Sequence, residues 1–311
     1  MNKPLISIIL CTYNNSASLE KTLTDLSACI IPENIQIELI CVDNNSPDNT
    51  PEVFEKKQPL FNYDASYAFE SKQGLSHARN LGLKKARGEY LLFTDDDAEI
   101  PINWIVEYNK IIKGDSPDCL YSKIHIVWDQ QRPNWYQKHY QSLFVHLDFG
   151  EEKLNIEDVH HEFFGKNFCV NKLVLIELGG FDPELGRTGE KLIAGEETLI
   201  YRNLIRKNKK VIYFPTATVG HRLKPREYEF SNVEKMYSDG AYSSYHLSKK
   251  IASKKIFNRP LYPLKNSIME SFKCAFLFIT YKVKNDKHLT TFYKLNLKKN
   301  IKILSHWLKN A

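Results

Sequence analysis

Thr94-Asp95-Asp96-Asp97 closes the apolar run Tyr90-Leu91-Leu92-Phe93. A buried strand that delivers three carboxylates into a loop is a ready site for a hard divalent cation and for the phosphates it carries. If the chain stays extended through this run its side chains alternate, so Asp95 and Asp97 share one face and Asp96 takes the other. Two carboxylates on one face are a start for octahedral magnesium or manganese, with phosphate oxygens completing the shell. The alternative is an acidic turn that merely caps the next helix. Asp43 weighs against it, because it too ends an apolar run, and a parallel sheet would bring both acidic loops to one edge.

A second acidic pair, Glu196-Glu197, opens a helix predicted over residues 196–207. A carboxylate at a helix N-terminus stays ionised and is able to take a proton from a hydroxyl, although acids of the first turn also serve simply as caps. His221, in Val219-Gly220-His221-Arg222, is either structural or a metal ligand. There is no Gly-x-Gly-x-x-Gly after the first strand and no Gly-x-x-x-x-Gly-Lys-Ser/Thr anywhere. A nucleotide held without those loops needs its diphosphate gripped another way, and a metal on the aspartates supplies one.

The elements that must carry these groups are legible as an open α/β pattern. Residues 5–11 read as a strand, Ser16 as the cap of a helix with Leu19, Leu23 and Leu26 on one face, and 35–42 as a second strand before a helix over 48–57. A helix over 73–86 closes at Gly88 as a left-handed cap, 89–93 is a strand, and a helix over 103–113 ends at Gly114. Strands follow over 119–128, 163–170 and 211–214, the last convincing one, with a short helix over 172–178. The aromatic- and histidine-rich stretch 129–161 has no clean period and is expected to be an irregular insertion. Gly186, Gly189 and Gly195 bracket residues 187–194, which form either a movable loop or an irregular one.

With 311 residues, 42% of them apolar, the chain is long enough for one large domain, expected over 1–237, and a basic, mainly helical segment over 238–311. Residues 240–311 hold fifteen Lys/Arg against two acids, Glu270 and Asp286. Since the whole chain is only +6, the part before that segment is net acidic. Phe272, Phe276 and Ile279, and again Ile301, Leu304 and Leu308, follow helical spacing beside lysines. They suit helices lying on an anionic membrane surface, or stripes packed on the domain or on a second subunit. Nucleic acid is not expected as a partner. No signal peptide is legible and the six cysteines show no metal or redox spacing, so a cytoplasmic protein, peripheral at the inner face of the cell membrane, is expected.

Several pieces recur in order: Cys11-Thr12-Tyr13-Asn14, residues 42–50 (VDNNSPDNT), residues 74–82 (GLSHARNLG), Thr94-Asp95-Asp96-Asp97, Gly179-Gly180-Phe181-Asp182 and Gly195-Glu196-Glu197. Over roughly residues 5–224 the chain resembles the family 2 glycosyltransferases, of GT-A fold, a Rossmann-like mostly parallel sheet flanked by helices. The resemblance implies metal-dependent, inverting transfer of a hexosyl or N-acetylhexosaminyl group from a nucleotide-diphospho-sugar, with UDP as nucleotide. The implied acceptor is a glycan or lipid-linked one in surface polysaccharide biosynthesis. It places Thr12, Tyr13, Asn14, Asp43 and Asn45 on the nucleoside side, with Arg79, Asp95 and Asp96 by the nucleotide. Asp97 and His221 become ligands of Mn2+ or Mg2+, and Glu197 or Glu196 the base. The family usually has Glu-Asp where this chain has Glu196-Glu197, so Glu197 keeps the charge and adds a methylene of reach. The bland readings stay open: Arg79 as a helix arginine paired with an exposed acid, and Asn44 and Asn45 as turn formers. Lys224 and Arg226 either neutralise the departing diphosphate or face solvent. A nucleotidyltransferase lacks its basic Gly-rich loop here, since residues 11–19 contain no Arg, Lys or Gly. A noncatalytic sugar-nucleotide or glycan-binding protein would have no need of Asp95, Asp97, Glu197 and His221.

Overall fold

The computed structural model describes residues 5–33, 35–186, 194–252, 254–257 and 259–309. They form two compact units, one of Met1–Gln130, Phe144–Glu184 and Glu196–Leu223, the other of Gln131–Leu143, Leu185–Gly195 and Lys224–Ala311.

The first unit is built on an eight-stranded sheet. β1 (Leu5–Thr12), β2 (Gln36–Asp43), β3 (Asp64–Phe69) and β4 (Tyr90–Asp95) are parallel in the order β3-β2-β1-β4, joined by α1 (Ser16–Ser27), α2 (Thr50–Lys57) and α3 (Leu75–Lys85). β1 and β4 are apolar on both faces because helices cover both, the pattern of a parallel sheet. After β5 (Ala98–Glu99) and α4 (Trp104–Asp115) come β6 (Cys119–Tyr121), β7 (Ile124–Val127), β8 (Leu154–Ile156) and β9 (Phe168–Asn171). They are followed by α5 (Lys172–Glu177), α6 (Glu196–Arg206), β10 (Val211–Tyr213) and β11 (Val219–Arg222). The large sheet continues from β4 through β9, β6, β10 and β8, with β9 antiparallel to both neighbours, and β5, β11 and β7 make a second, three-stranded sheet.

The expected sheet is therefore present, with differences at its joints. β3 and β11 are strands that periodicity did not flag, and residues 119–128 break into β6 and β7, which join different sheets. Ser16 is not the cap of α1: Asn15 is, and the Asp48 carboxylate accepts from the Ser16 N–H at 2.9 Å, an acid from another loop at a helix N-terminus. Gly88 is no left-handed cap. α3 gives way to extended chain at Ala86, and Arg87 and Gly88 are seized by a buried pair instead. Ser7 donates to Glu38 at 2.5 Å, Arg87 gives Glu38 its N–H and Nε–H, and Gly88 N–H reaches the Ser7 oxygen at 2.8 Å. Gly114 lies inside α4, and Ser116 takes the left-handed position with φ 45°. The six cysteines are buried free thiols.

The second unit holds α7 (Phe230–Ile251), which runs through residue 237, a small hairpin of β12 (Lys255–Ile256) and β13 (Arg259–Pro260), α8 (Leu261–Val283) and α9 (Lys287–Lys309). Part of the aromatic stretch belongs here. Trp135 donates to the Tyr228 carbonyl at 3.2 Å, and His139 and Tyr140 pack on Phe292. Trp307 donates to the Pro260 carbonyl at 2.9 Å beneath the Arg259 guanidinium, fixing the hairpin to the end of α9.

α3 sits flush on β1 at Gly82, where a Cβ would come within 2.5 Å of Ile9 Cγ2. Gly82→Ala is expected to destabilise the chain by about 1–3 kcal/mol through overpacking in urea unfolding. Gly114→Ala, with nothing within 4 Å of the added methyl, is expected to stabilise by about 0.5–1 kcal/mol.

Candidate active site

Strand register puts the polar loops side by side: Thr12 pairs with Asp43, and Cys11 with Asp95. The loops are then tied to one another. Asn14, at φ 48°, donates its N–H to Ser46 at 3.0 Å, and Asn45 sits at φ 63°, conformations that asparagine tolerates better than most residues. Asn44 accepts from Gly74 N–H at 2.7 Å and donates to the Lys72 carbonyl, which fixes the entry to α3. Asp43 is buried and accepts from Ser46 N–H at 2.9 Å and the Tyr67 hydroxyl at 2.5 Å. Tyr13, at the same edge, is exposed.

The three aspartates divide as alternation requires. Asp96 works inward: its carboxylate accepts from Thr12 Oγ1 at 2.8 Å and Asn15 Nδ2 at 2.6 Å, holding the β1–α1 loop. Asp95 and Asp97 meet two buried cations. Arg79, from α3, lies 3.5 Å from Asp95, 2.9 Å from Glu196 and 3.8 Å from Glu197. Lys166 pairs with Asp97 and lies 3.6 Å from Asp95. His221 Nε2 is 3.7 Å from Asp97 Oδ2. The result is a continuous file of alternating charge, Glu196, Arg79, Asp95, Lys166, Asp97 and His221, in which acids outnumber full cations. Burial works against the charge on Arg79 and on Lys166, but their carboxylate neighbours outweigh it and raise both groups above their ordinary values. Burial pushes the Glu196 carboxyl up, Glu197 adds to this, and Arg79 opposes it.

Glu196 is thus fully enclosed and held by Arg79, whereas Glu197 is partly exposed, its Oε2 buried 3.8 Å from the same guanidinium without a hydrogen bond. The expectation of an arginine paired with an exposed acid does not hold for Arg79, which is itself 2% exposed. Its Phe181 neighbour lies under the guanidinium at 5.4 Å, and Asn80 clamps the Phe181 backbone through both N–H and carbonyl, at 2.9 and 2.7 Å. Two adjacent residues of α3 therefore serve separate parts of the site.

Among the described residues no group of three or more His, Cys, Asp or Glu side chains is arranged to hold a metal ion. Asp97 and His221 nevertheless make a pair suited to one. His221 Nδ1 is 2.8 Å from the Phe144 carbonyl, which only accepts, so Nδ1 carries the proton. In the neutral ring Nε2 then presents a lone pair toward a carboxylate oxygen, two acceptors that a cation between them would relieve. Two protein donors leave the remaining positions to substrate oxygens and water, as magnesium and manganese accept.

Lys166 and Asn167 were not legible as site residues, because Gly165-Lys166-Asn167 reads as part of a strand. In fact β9 begins at Phe168. Asn167 uses its full capacity, accepting from Trp104 and Tyr108 and donating to the Lys123 and Ala217 carbonyls, all at 2.9 Å. A glycine before a basic residue and an amide was the available signal, since a Cβ at Gly165 would strike the Arg79 guanidinium, 2.7 Å from Cζ, and displace it. Residues 187–193 of the glycine-bracketed loop lie outside the described residues. Gly165→Ala is expected to displace Arg79 and lower turnover at least about tenfold while the far-ultraviolet circular dichroism spectrum persists. A variant with full turnover would show that the guanidinium position is immaterial.

The family model described as Glycosyl transferase family 2 matches residues 7–179. A glucosyl-dolichyl phosphate glucuronosyltransferase of Haloferax volcanii is 26% identical over 235 residues, 72% of this chain and 71% of its own. The succinoglycan biosynthesis protein ExoM of Rhizobium meliloti is 25% identical over 130 residues, 42% of either chain. Among solved structures, the mannosyltransferase PcManGT of Pyrobaculum calidifontis, in complex with GDP-Man and Mn2+, superposes with a TM-score of 0.64 at 17% identity, over 99% of this chain and 88% of its own. S. aureus TarS 1-349 in complex with UDP-GlcNAc gives 0.55 at 20%, over 82% and 68%. Identities this low show the fold alone, but the family model covers more than half of the residues. The chain belongs to glycosyl transferase family 2 and has the GT-A fold.

Proposed function

We propose that this enzyme moves a hexose or N-acetylhexosamine from UDP to a hydroxyl of a glycan or lipid-linked acceptor in surface polysaccharide biosynthesis, with inversion at the anomeric carbon. The observation that carries the mechanism is the partly exposed carboxylate of Glu197 beside Glu196, which Arg79 immobilises at 2.9 Å. The acceptor hydroxyl gives its proton to Glu197 as its oxygen bonds to the anomeric carbon. The bond from that carbon to the diphosphate oxygen breaks, and the nucleoside diphosphate leaves with the electron pair. A single displacement of this kind inverts the centre.

Thr12, Tyr13, Asn14, Asp43 and Asn45 form the nucleoside side in this reading, the remaining lone pairs of Asp43 facing the ring N–H of uracil. Asp95 and the two buried cations beside it set the field in which the diphosphate departs. Asp97 and His221 would hold a divalent ion, manganese suiting the mixed oxygen and imidazole set better than magnesium. When bound, that ion supplies positive charge against the diphosphate. Asp96 supports the site from behind by holding the β1–α1 loop.

A screen of nucleotide sugars with manganese and with magnesium tests the reading. Asp97→Ala is expected to weaken binding of the donor nucleotide at least about tenfold by calorimetry. Glu197→Gln should bind it nearly as well as the unaltered enzyme and lose about 10²–10⁴ in turnover. Full turnover by Glu197→Gln would move the base role to Glu196, and an α-linked product from an α-linked donor, seen by NMR, would refute inversion.

A further inference from the structure

The large apolar side chains most plainly out of place in this molecule are on α8. Met269, Phe272, Phe276, Ile279 and Val283 follow one another at intervals of three and four residues, and all are exposed, Phe272 to 75%, Phe276 to 69% and Val283 to 82%. Tyr262 extends the same stripe toward the start of the helix, which at 1.5 Å per residue is roughly 34 Å long. The opposite face, with Pro263, Ser267 and Cys274, is buried, so this helix already has its packing partner and the stripe is surplus to it. The hairpin before α8 repeats the feature: Ile256 and Phe257 project at its tip, Phe257 82% exposed. A contiguous apolar surface of this kind marks an interaction site.

The charges around it select the occupant. Lys265, Lys273, Lys282 and Lys284 border the stripe, and Lys254 and Lys255 stand beside the hairpin tip, all of them exposed. The one acid on α8, Glu270, lies 3.7 Å from Lys273. A second copy of the chain joined through this face would set these lysines against their own counterparts. An anionic bilayer surface meets both demands, taking the aromatic and aliphatic tips among its acyl chains while the lysine ammoniums reach the headgroup phosphates. No helix among the described residues is long and apolar enough to cross a membrane, so the contact is one of lying on the surface.

We propose that the exposed face of α8, with the Ile256-Phe257 hairpin tip, is the surface by which this enzyme binds an anionic phospholipid membrane. The attachment is independent of which donor or acceptor the catalytic unit uses.

Sedimentation of the full chain with phosphatidylcholine vesicles, with and without phosphatidylglycerol, tests this directly. The unaltered protein is expected to pellet with the anionic vesicles, much less with the neutral ones, and less as salt rises. Phe272→Glu combined with Phe276→Glu, at positions that make little contact in the fold, should weaken that binding at least about tenfold. Circular dichroism and hydrolysis of the nucleotide sugar should be unchanged, which separates a failure here from a failure of the catalytic reading. Lys265→Gln with Lys284→Gln should narrow the difference between anionic and neutral vesicles. Absence of binding to anionic vesicles, or binding indifferent to the phenylalanine pair, overturns the proposal. So does a lipid-free dimer in sedimentation equilibrium that the same pair dissolves, since the face would then belong to a second copy.

Discussion

The burial of the Arg79 guanidinium among Asp95, Glu196 and Glu197 is the constraint on which the site depends. A guanidinium removed from water is tolerable only when acids surround it, and removing one partner from a buried pair typically costs about 3–5 kcal/mol because the other charge is left uncompensated. This arginine therefore holds α3, the end of β4 and the start of α6 in one arrangement. Gly165 leaves it room and Phe181 gives it a floor. The acids proposed to serve chemistry are thus also the acids that keep a cation buried, and of the two glutamates Glu197 is the more exposed and the farther from the guanidinium.

The same economy governs the turn after β4. Asp96 and the backbone of residues 96–98 face inward and are fastened from several elements. The Thr22 hydroxyl of α1 lies 2.9 and 2.8 Å from the Asp96 and Ala98 carbonyls, and Arg222 of β11 gives its N–H to the Asp97 carbonyl and its guanidinium to Ala98 and Asp25. Asp95 and Asp97 can then project from a rigid turn, and Lys166 keeps their charge from pushing them apart. Preorganisation of this kind means that, in the proposed reaction, donor binding does not have to assemble the carboxylates.

Long apolar runs made β1, β2 and β4 legible in the sequence, and the acidic loops with them, because a strand buried on both faces announces itself without reference to anything else. β3 and β11 are short, or half exposed, and are strands only because a neighbour pairs with them. Capping at Ser16 failed as an expectation for a related reason: a carboxylate from a distant loop, Asp48, already occupies the helix end. Lys166 was hidden most thoroughly. Its chemistry follows from acids on another strand, and nothing within Gly165-Lys166-Asn167 names them.

Helical periodicity in the C-terminal region carries a different ambiguity, since a stripe of apolar residues looks the same whether it faces a neighbouring helix or nothing. In α9 the row of Leu295, Ile303 and Trp307 is buried while Ile301 and Leu308 of the expected stripe are exposed, and in α8 the row through Phe272 and Phe276 is bare. Only packing distinguishes them, because α8 is apolar enough on more than one side to choose either. Charge then narrows the meaning of the bare side. A stripe awaiting a protein partner would carry acids as readily as bases along its borders, but in this segment bases outnumber acids fifteen to two. That bias is repulsive within the segment and weakens it slightly on its own. It becomes favourable only opposite a surface of fixed negative charge, and a lipid headgroup layer presents that surface to the lysines and an apolar interior to the phenylalanines at the same time.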